Sequence, residues 1–199
     1  MTEVQKINRG GRPRVTDKAA IAAVGLRLFA EHGYDTVTMA DIAEACGIGR
    51  STLLRYFDTK VDILWDRSDD EVSALAEKLH AVPKTADAVT VLCTKLSAML
   101  IYADSEIDLL RTQVRILSES VDRGPLGSAR FKPWESVVVG FITERTHHGM
   151  NDLFTKLLAQ SLFSAGWTAL TVWAESDEDR PERLLEEAFA LVRNGFTTE

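Results

Sequence analysis

The residues with the clearest capacity for recognition chemistry lie in one short stretch near the N-terminus. Leu53 and Phe57 are four residues apart, so on a helix both would point inward as apolar anchors. A second stripe of that helix carries basic, hydroxyl and one apolar side chain: Arg50, Ser51, Leu54 and Arg55. Arginine pairs with guanine edges in the major groove, and a hydroxyl pairs with either base edge. The pattern predicts a short DNA-reading helix, and the alternative is an ordinary helical hairpin with a polar outer face.

A preceding helix is needed to position this one. Thr38 and Asp41 have the spacing of a capping box, which begins a helix at residue 39. Apolar residues then recur at helical spacing: Met39, Ile42, Ala43 and Cys46. Gly47 ends this helix because glycine tolerates a positive φ. Two short helices joined by such a turn are the layout of a helix-turn-helix.

These residues belong to a longer signature that begins at about Thr16 and ends at Trp65. The signature resembles the DNA-binding domain of the TetR family of transcriptional repressors, a resemblance that covers about a quarter of the chain. It is carried by residues 22–23, 28–34, 37–43, 47–53, 56–57 and 60. The resemblance implies a DNA-binding regulator with an all-α fold, in which a three-helix DNA-binding domain precedes a helical ligand-binding and dimerisation domain.

Roles within the signature follow from the resemblance, position by position. It implies that Thr38 holds a phosphate, that Tyr56 and Lys60 contact further phosphates, and that four side chains face the DNA: Arg50, Ser51, Thr52 and Arg55. Two positions depart from the family, which usually has Ser or Thr at Gly49 and an aromatic residue at Leu54. Leu54 would then make an apolar contact, for example to a thymine methyl group. Arg55 stands where the family often has His. These departures affect which operator is read.

Residues 1–15 lack hydrophobic periodicity and are predicted to form a flexible basic arm. The first 18 residues carry five basic and two acidic side chains. The segment around Arg12 and Arg14 resembles the core of an AT-hook, whose arginines lie in the minor groove. A solvated cationic tail with general phosphate attraction is an equally good interpretation.

The composition of the 199-residue chain is that of a globular protein, with 45% hydrophobic and 27% charged residues. Its net charge of −7 falls entirely beyond residue 66, because residues 1–66 hold nine basic and nine acidic side chains. Neither a secretory signal nor an apolar run of about 20 residues is seen, so we expect a cytoplasmic protein without a membrane span. Cys46 and Cys93 do not suggest a disulfide framework.

The remainder of the chain is predicted to be helical throughout. Thr16 is expected to cap the first helix, and Thr59 and Asp62 form a second capping box. We place the domain boundaries at residues 1–15 for the arm, 16–65 for the DNA-binding domain and 66–199 for the helical domain. Helices are expected over residues 59–82, 85–102, 105–121, 133–146, 151–174 and 181–194, with a turn at 123–127. Asn151 is expected to cap the helix over 151–174. The β-branched run 137–143 is interpreted as buried helix because its surroundings are helical.

The last two predicted helices carry more apolar residues than one buried face needs. Residues 151–174 are apolar on most sides, and residues 181–194 are similar. A homodimer through these two helices would bury the excess, as TetR-like proteins do, and a deeply buried monomer core is the alternative. A two-fold dimer predicts a pseudo-palindromic operator.

A ligand site is expected among the middle helices. The residues assigned to it are Met99, Leu100, Arg111, Val114, Arg115, Trp134, Val138 and Phe141. Arg111 and Arg115 are four apart and could hold an anionic group, although Arg115 could instead pair with Glu119, and plain core packing explains the apolar members equally well. The C-terminal half also resembles the acyl-CoA-type ligand domains of some TetR relatives. The expected effector is a small apolar or amphipathic molecule, with an acyl-CoA-like compound as one candidate.

No catalytic residues, metal ligands or cofactor are predicted. Glu144, His147 and His148 lack the i, i+4 spacing of a helical metal site, so a solvated helix end is the preferred interpretation. The leading hypothesis is a homodimeric repressor that binds double-stranded DNA and is released by its effector. The alternatives are a constitutive regulator without a small-molecule ligand and a small helical enzyme.

Overall fold

A computed structural model describes residues 17–100, 102–119 and 129–195. The described residues form ten α-helices and two short 3₁₀ segments and contain no β-strand, which confirms the predicted all-α fold. The chain divides into two compact units between Ile63 and Leu64. The first carries the predicted helix-turn-helix, and the second carries the predicted ligand site.

The first unit contains α1 (Lys18–His32), α2 (Met39–Ala45), α3 (Arg50–Leu53) and most of α4 (Lys60–Leu64). Its helices meet through small and apolar residues, and α1 and α3 both pack on α2. Gly25 allows close approach, because a Cβ there would lie 2.9 Å from Cγ2 of Ile63. The buried side chains are Ile21, Ala22, Leu26, Phe29, Val37, Ile42, Ala43, Cys46, Leu53, Phe57 and Ile63.

The second unit is a bundle of α5 (Ser68–His80), α6 (Ala88–Met99), α7 (Ile107–Ser118), α8 (Lys132–Arg145), α9 (Leu153–Glu175) and α10 (Glu182–Asn194). The 23-residue α9 packs against α7, α8 and α10, and α10 also packs on α6. One apolar core runs through α5, α6, α8, α9 and α10, and a smaller cluster joins α7 to the C-terminal end of α9. The run 137–143 lies inside α8, as predicted.

Three local predictions are wrong. The helix expected over 59–82 is two helices, because a tight turn with a hydrogen bond from Ser68 N to Trp65 O (3.1 Å) separates α4 from α5. The N-cap of α9 is Asp152 rather than Asn151. The N-cap of α1 is Asp17 rather than Thr16, which lies outside the described residues together with the arm residues Arg12 and Arg14 and the turn at 123–127.

No single helix in the described ranges is long and apolar enough to cross a membrane. One strongly bent pair, Ala88–Met99 with Asp104–Ser118, meets the length and composition requirement only when its members are taken together.

Candidate DNA-binding surface and ligand cavity

The helix-turn-helix is held by caps and by two buried anchors. The Thr38 side chain accepts a hydrogen bond from Asp41 N (3.2 Å), and Thr38 N donates to Asp41 Oδ2 (2.8 Å), which confirms the capping box at the start of α2. Gly47 has φ +68°, a backbone conformation that glycine adopts without strain. Leu53 and Phe57 are 0% and 2% exposed, so they fix α3 and the turn that follows it to the first unit.

The opposite side of α3 faces outward. Arg50, Ser51 and Arg55 are exposed, and Leu54 and Tyr56 are 38% and 37% exposed, whereas Thr52 is half-buried. The structure therefore brings the predicted base-reading residues together on one surface of basic, hydroxyl and apolar groups. We call this set the DNA-facing surface after the role predicted for it, and it consists of Arg50, Ser51, Thr52, Leu54, Arg55 and Tyr56.

The second unit contains a partly open cavity between α5, α6, α7, α8, α9 and α10. Its volume is about 110 Å³, several times the space that one water molecule needs. Most of the lining is aliphatic and aromatic: Leu75, Leu96, Leu100, Leu110, Val114, Leu117, Phe131, Trp134, Val138, Leu162, Phe163, Trp167, Leu170, Leu185 and Phe189. Such a lining suits an apolar chain or ring.

Polar groups reach the same cavity from the turn between α4 and α5, from α5, from the segment between α6 and α7, and from α7. They are Trp65, Ser68, Glu71, Tyr102 and Gln113. Burial raises the pKa of Glu71 to about 7, with Glu106 and Asp70 adding to the rise and Arg67 opposing it. Burial likewise raises the pKa of the Tyr102 phenol, so this group stays protonated.

Several of these polar groups already have protein partners. Gln113 Nε2 donates to Leu64 O, and Trp134 Nε1 lies 3.4 Å from Ser68 Oγ. The guanidinium of Arg67 forms an ion pair with Glu106. The Glu71 carboxylate, by contrast, forms no hydrogen bond or ion pair with any described residue, although the charge of Arg67 acts on it from a distance.

Comparison with known proteins agrees with both units. The family model for bacterial regulatory proteins of the tetR family matches residues 21–65, and the model for the MftR C-terminal domain matches residues 86–197, more than half of the chain. The chain belongs to the TetR family of transcriptional regulators. MftR of Mycobacterium tuberculosis, named as a putative transcriptional regulator of mycofactocin biosynthesis, is 26% identical over 95% of this chain and 96% of its own length.

A second curated relative and two solved structures extend the comparison. The repressor ComR of Escherichia coli is 34% identical over 80 residues, 40% of this chain and 38% of its own. FadR of Thermus thermophilus, solved with lauroyl-CoA, has a TM-score of 0.63 at 20% identity, covering 92% of this chain and 96% of its own. FadR of Bacillus subtilis, solved with stearoyl-CoA, has a TM-score of 0.66 at 19% identity, covering 91% of this chain and 100% of its own. At these identities the two structures support the TetR-family fold alone.

The interpretation of Lys60 taken from the TetR resemblance needs correction. Its ammonium donates to Tyr34 O (2.6 Å) and Val37 O (2.9 Å) and lies 4.4 Å from the centroid of the Tyr34 ring. Two of its three N–H donors therefore hold the loop between α1 and α2, so Lys60 serves the fold of the first unit and has one N–H left for the phosphate contact that the resemblance implies. Thr38 is exposed, but its hydroxyl is likewise engaged, donating to Asp41 Oδ2 (2.7 Å).

The expected anion site at Arg111 and Arg115 is wrong. Arg111 Nη1 donates to the carbonyls of Trp173 (2.8 Å) and Ser176 (2.9 Å), and Arg115 Nε donates to that of Ala174 (2.7 Å). Both guanidinium groups therefore donate to carbonyls at the C-terminal end of α9, where the helical hydrogen-bond pattern ends. Neither residue lines the cavity.

The remaining predicted ligand residues divide into two groups. Leu100, Val114, Trp134 and Val138 line the cavity, whereas Met99 and Phe141 do not. Phe141 is 4% exposed within the apolar core, where its ring stacks against the guanidinium of Arg145 at 3.9 Å. Plain packing is thus the correct interpretation for Phe141.

Sequence reasoning missed the polar part of the cavity. Glu71 lies three residues after Ser68 and four before Leu75, so the helical periodicity that places Leu75 inward places Glu71 on the same face. That periodicity was a usable signal. No comparable signal identifies Tyr102 or Gln113, because their place in the cavity depends on the packing of helices that are distant in the chain. No group of three or more metal-ligating side chains is found among residues 17–100, 102–119 and 129–195.

Proposed function

We propose that this TetR-family protein is a homodimeric repressor that binds a pseudo-palindromic operator and is released by a small apolar or amphipathic ligand. The observation that carries the proposal is the DNA-facing surface of α3, where exposed Arg50, Ser51 and Arg55 stand on a backbone anchored by buried Leu53. A surface of this composition matches the donors and apolar contacts that major-groove edges accept. These groups suit a DNA-binding regulator better than an enzyme.

Homodimerisation is supported by the apolar surface of the last two helices. Leu153 is 79% exposed, Leu157 58% and Val172 50% on α9, and Leu191 is 39% exposed on α10. Leu153 and Leu157 are four residues apart and share a helical face. A second copy of the chain would remove this apolar surface from water, and a two-fold axis would present two α3 helices to one operator. Leu157→Arg is expected to yield monomers by light scattering and to weaken operator binding.

The cavity supports the ligand part of the proposal. An apolar lining that encloses about 110 Å³ is suited to an alkyl chain. Two FadR structures of the same fold were solved with lauroyl-CoA and stearoyl-CoA, so acyl-CoA is one member of the amphipathic class that we propose. Release from DNA requires that the ligand bind more tightly to the conformation with low operator affinity.

Fluorescence anisotropy with DNA from upstream of the protein's own gene tests the regulator. We expect two chains per palindrome, affinity that falls steeply with salt, and a loss of about 1–3 kcal/mol in Arg55→Ala. Lys84→Ala is the matched control, since Lys84 is an exposed basic residue of the second unit. Equal affinity of Arg55→Ala and wild type for the operator would contradict the proposed reading surface.

The ligand proposal is tested in the same assay. Twelve-carbon amphiphiles, lauroyl-CoA among them, are added to the preformed complex, and at least one is expected to release the DNA. Leu100→Phe should reduce that response because Leu100 lines the cavity. Met99→Phe should preserve the response because Met99 does not line the cavity. If no amphiphile alters operator affinity, the constitutive regulator is the better description.

A further inference from the structure

We propose that Glu71 and Tyr102 form the polar end of the cavity and that this end selects a ligand whose polar group is a protonated amine rather than a carboxylate or phosphate. The inference rests on the proposed ligand function and narrows the class of ligand. It begins from an unusual placement, since Glu71 is the only acidic side chain that lines an otherwise largely apolar cavity in the described part of the chain. A carboxylate in such a place costs desolvation energy unless something pairs with it.

The protein supplies little compensation for that carboxylate. Arg67, one turn before Glu71 on the same side of α5, gives its guanidinium to an ion pair with Glu106. Asp70 adds a second negative charge next to Glu71. Within the described part of the chain, the charged groups acting on Glu71 are Arg67, Asp70 and Glu106, and together with Glu71 itself they sum to an excess of negative charge. A cationic ligand group would neutralise this excess, and an anionic group would add to it.

The neighbouring polar atoms are acceptors or neutral groups. Gln113, which lines the cavity, uses its amide nitrogen on Leu64 O, and its side-chain carbonyl oxygen is an acceptor. Tyr102 keeps its proton because burial and the charges of Glu71 and Glu182 raise its pKa, so it presents a neutral hydroxyl. The Trp65 indole N–H is a neutral donor with no acceptor in the described ranges. A neutral donor does not offset the charge of a bound carboxylate, whereas three N–H groups of an ammonium can use Glu71, Gln113 and the Tyr102 oxygen.

The raised pKa of Glu71, about 7, agrees with this assignment. An empty cavity favours the protonated acid, and an entering ammonium favours the carboxylate. Binding of an amine would therefore release a proton near neutral pH, and affinity for the amine should rise with pH through this range. Among residues 17–100, 102–119 and 129–195, the charged groups acting on Glu71 are Arg67, Asp70 and Glu106, none of them a lysine or histidine that would oppose this dependence.

The experiment compares three probes that share one alkyl chain: dodecylamine, 1-dodecanol and dodecanoate. Binding to the full-length protein at pH 8 is followed by quenching of tryptophan fluorescence, since Trp65, Trp134 and Trp167 line the cavity. We expect dodecylamine to bind roughly tenfold or more tightly than dodecanoate. Glu71→Gln should bring the two affinities within about threefold, because the substitution removes the charge and keeps the shape.

Glu77→Gln is the matched control, because Glu77 is an exposed acid on the same helix and its loss changes the net charge equally. General attraction of the amine to an acidic protein would respond to both substitutions, and that result would overturn the assignment of Glu71. Equal binding of all three probes, or tighter binding of dodecanoate, would also overturn it while leaving the ligand proposal intact. Failure of all three probes to bind would overturn the ligand proposal itself.

Discussion

Arg111 and Trp173 form a stacked pair in which the guanidinium carbon lies 4.3 Å from the indole ring centroid. The same guanidinium donates to the carbonyl of Trp173, and the Trp173 indole N–H donates to Glu178 O at 3.0 Å. Trp173 is 0% exposed. One arginine thus closes the C-terminal end of α9 and covers the largest side chain of the α7–α9 cluster.

Arg111→Lys should therefore destabilise the second unit. Lysine keeps the charge but loses the planar fork that reaches several carbonyls, so we expect a loss of about 2–3 kcal/mol in the free energy of unfolding. Urea unfolding followed by tryptophan fluorescence measures it. Arg183→Ala is the control, since Arg183 is 62% exposed and its ion pairs lie at the surface, where the loss should be much smaller. Equal stability of Arg111→Lys and wild type would show that the carbonyls find other partners.

Lys60→Met should weaken the fold of the first unit. Methionine preserves the aliphatic stem but leaves the carbonyls of Tyr34 and Val37 without the ammonium donor, a loss of about 1–2 kcal/mol. Circular dichroism at 222 nm during thermal unfolding measures the change, with the exposed Lys95→Met as control. Unchanged stability together with weaker DNA binding would instead favour the phosphate contact that the TetR resemblance implies.

Replacing glycine by alanine is expected to have opposite effects on stability at two positions within helices, Gly25 and Gly140. Gly25→Ala places a methyl group 2.9 Å from Ile63 Cγ2, and this overpacking should cost about 1–3 kcal/mol. A methyl group added at Gly140 in α8 would meet nothing within 4 Å, so Gly140→Ala should stabilise by up to about 1 kcal/mol through helix propensity alone. Differential scanning calorimetry of the two variants compares them directly. A stabilising Gly25→Ala would mean that α1 and α4 separate at little cost.

The raised pKa of Glu71 should make the stability of the protein depend on pH. Its pKa is raised from 4.5 in the unfolded chain to about 7 in the folded chain, so between these values the folded state holds a proton that the unfolded state has released. Stability contributed by this group therefore falls as pH rises from 4.5 to 7 and then levels off. Glu71→Gln should be more stable than wild type by about 3 kcal/mol at about pH 8 and nearly equal at about pH 4.5. Urea titrations at both pH values measure this difference, and a constant difference would contradict the raised pKa.

Local patterns in the sequence predicted the helix-turn-helix well. The capping box of Thr38 and Asp41, the turn at Gly47 and the anchors Leu53 and Phe57 all depend on residues close in the chain, so spacing alone specifies them. The site residues that failed depend on distant partners. Arg111 is 62 residues from Trp173, and Lys60 is 26 residues from Tyr34, so the carbonyls that occupy these side chains could not be read from their own surroundings.

The same distinction explains the ligand cavity. Helical periodicity identified apolar residues such as Val114 and Val138 as inward-facing, but it cannot separate a residue that lines a cavity from one that fills a core, as Phe141 does. That separation depends on how six helices leave space between them. The break between α4 and α5 had a weak signal in the three acidic residues Asp69, Asp70 and Glu71, which favour the first turn of a new helix.

The two buried cysteines allow the local opening of each unit to be measured by thiol labelling. Cys46 is 1% exposed and belongs to the first unit, whereas Cys93 is 3% exposed and belongs to the second, where burial raises its thiol pKa. A thiol reagent can modify each sulfur only after the surrounding unit opens. Because the two modified peptides differ in mass, one labelling time course yields an opening rate for the DNA-binding unit and another for the cavity-bearing unit. Adding operator or amphiphile then shows which unit each of them protects.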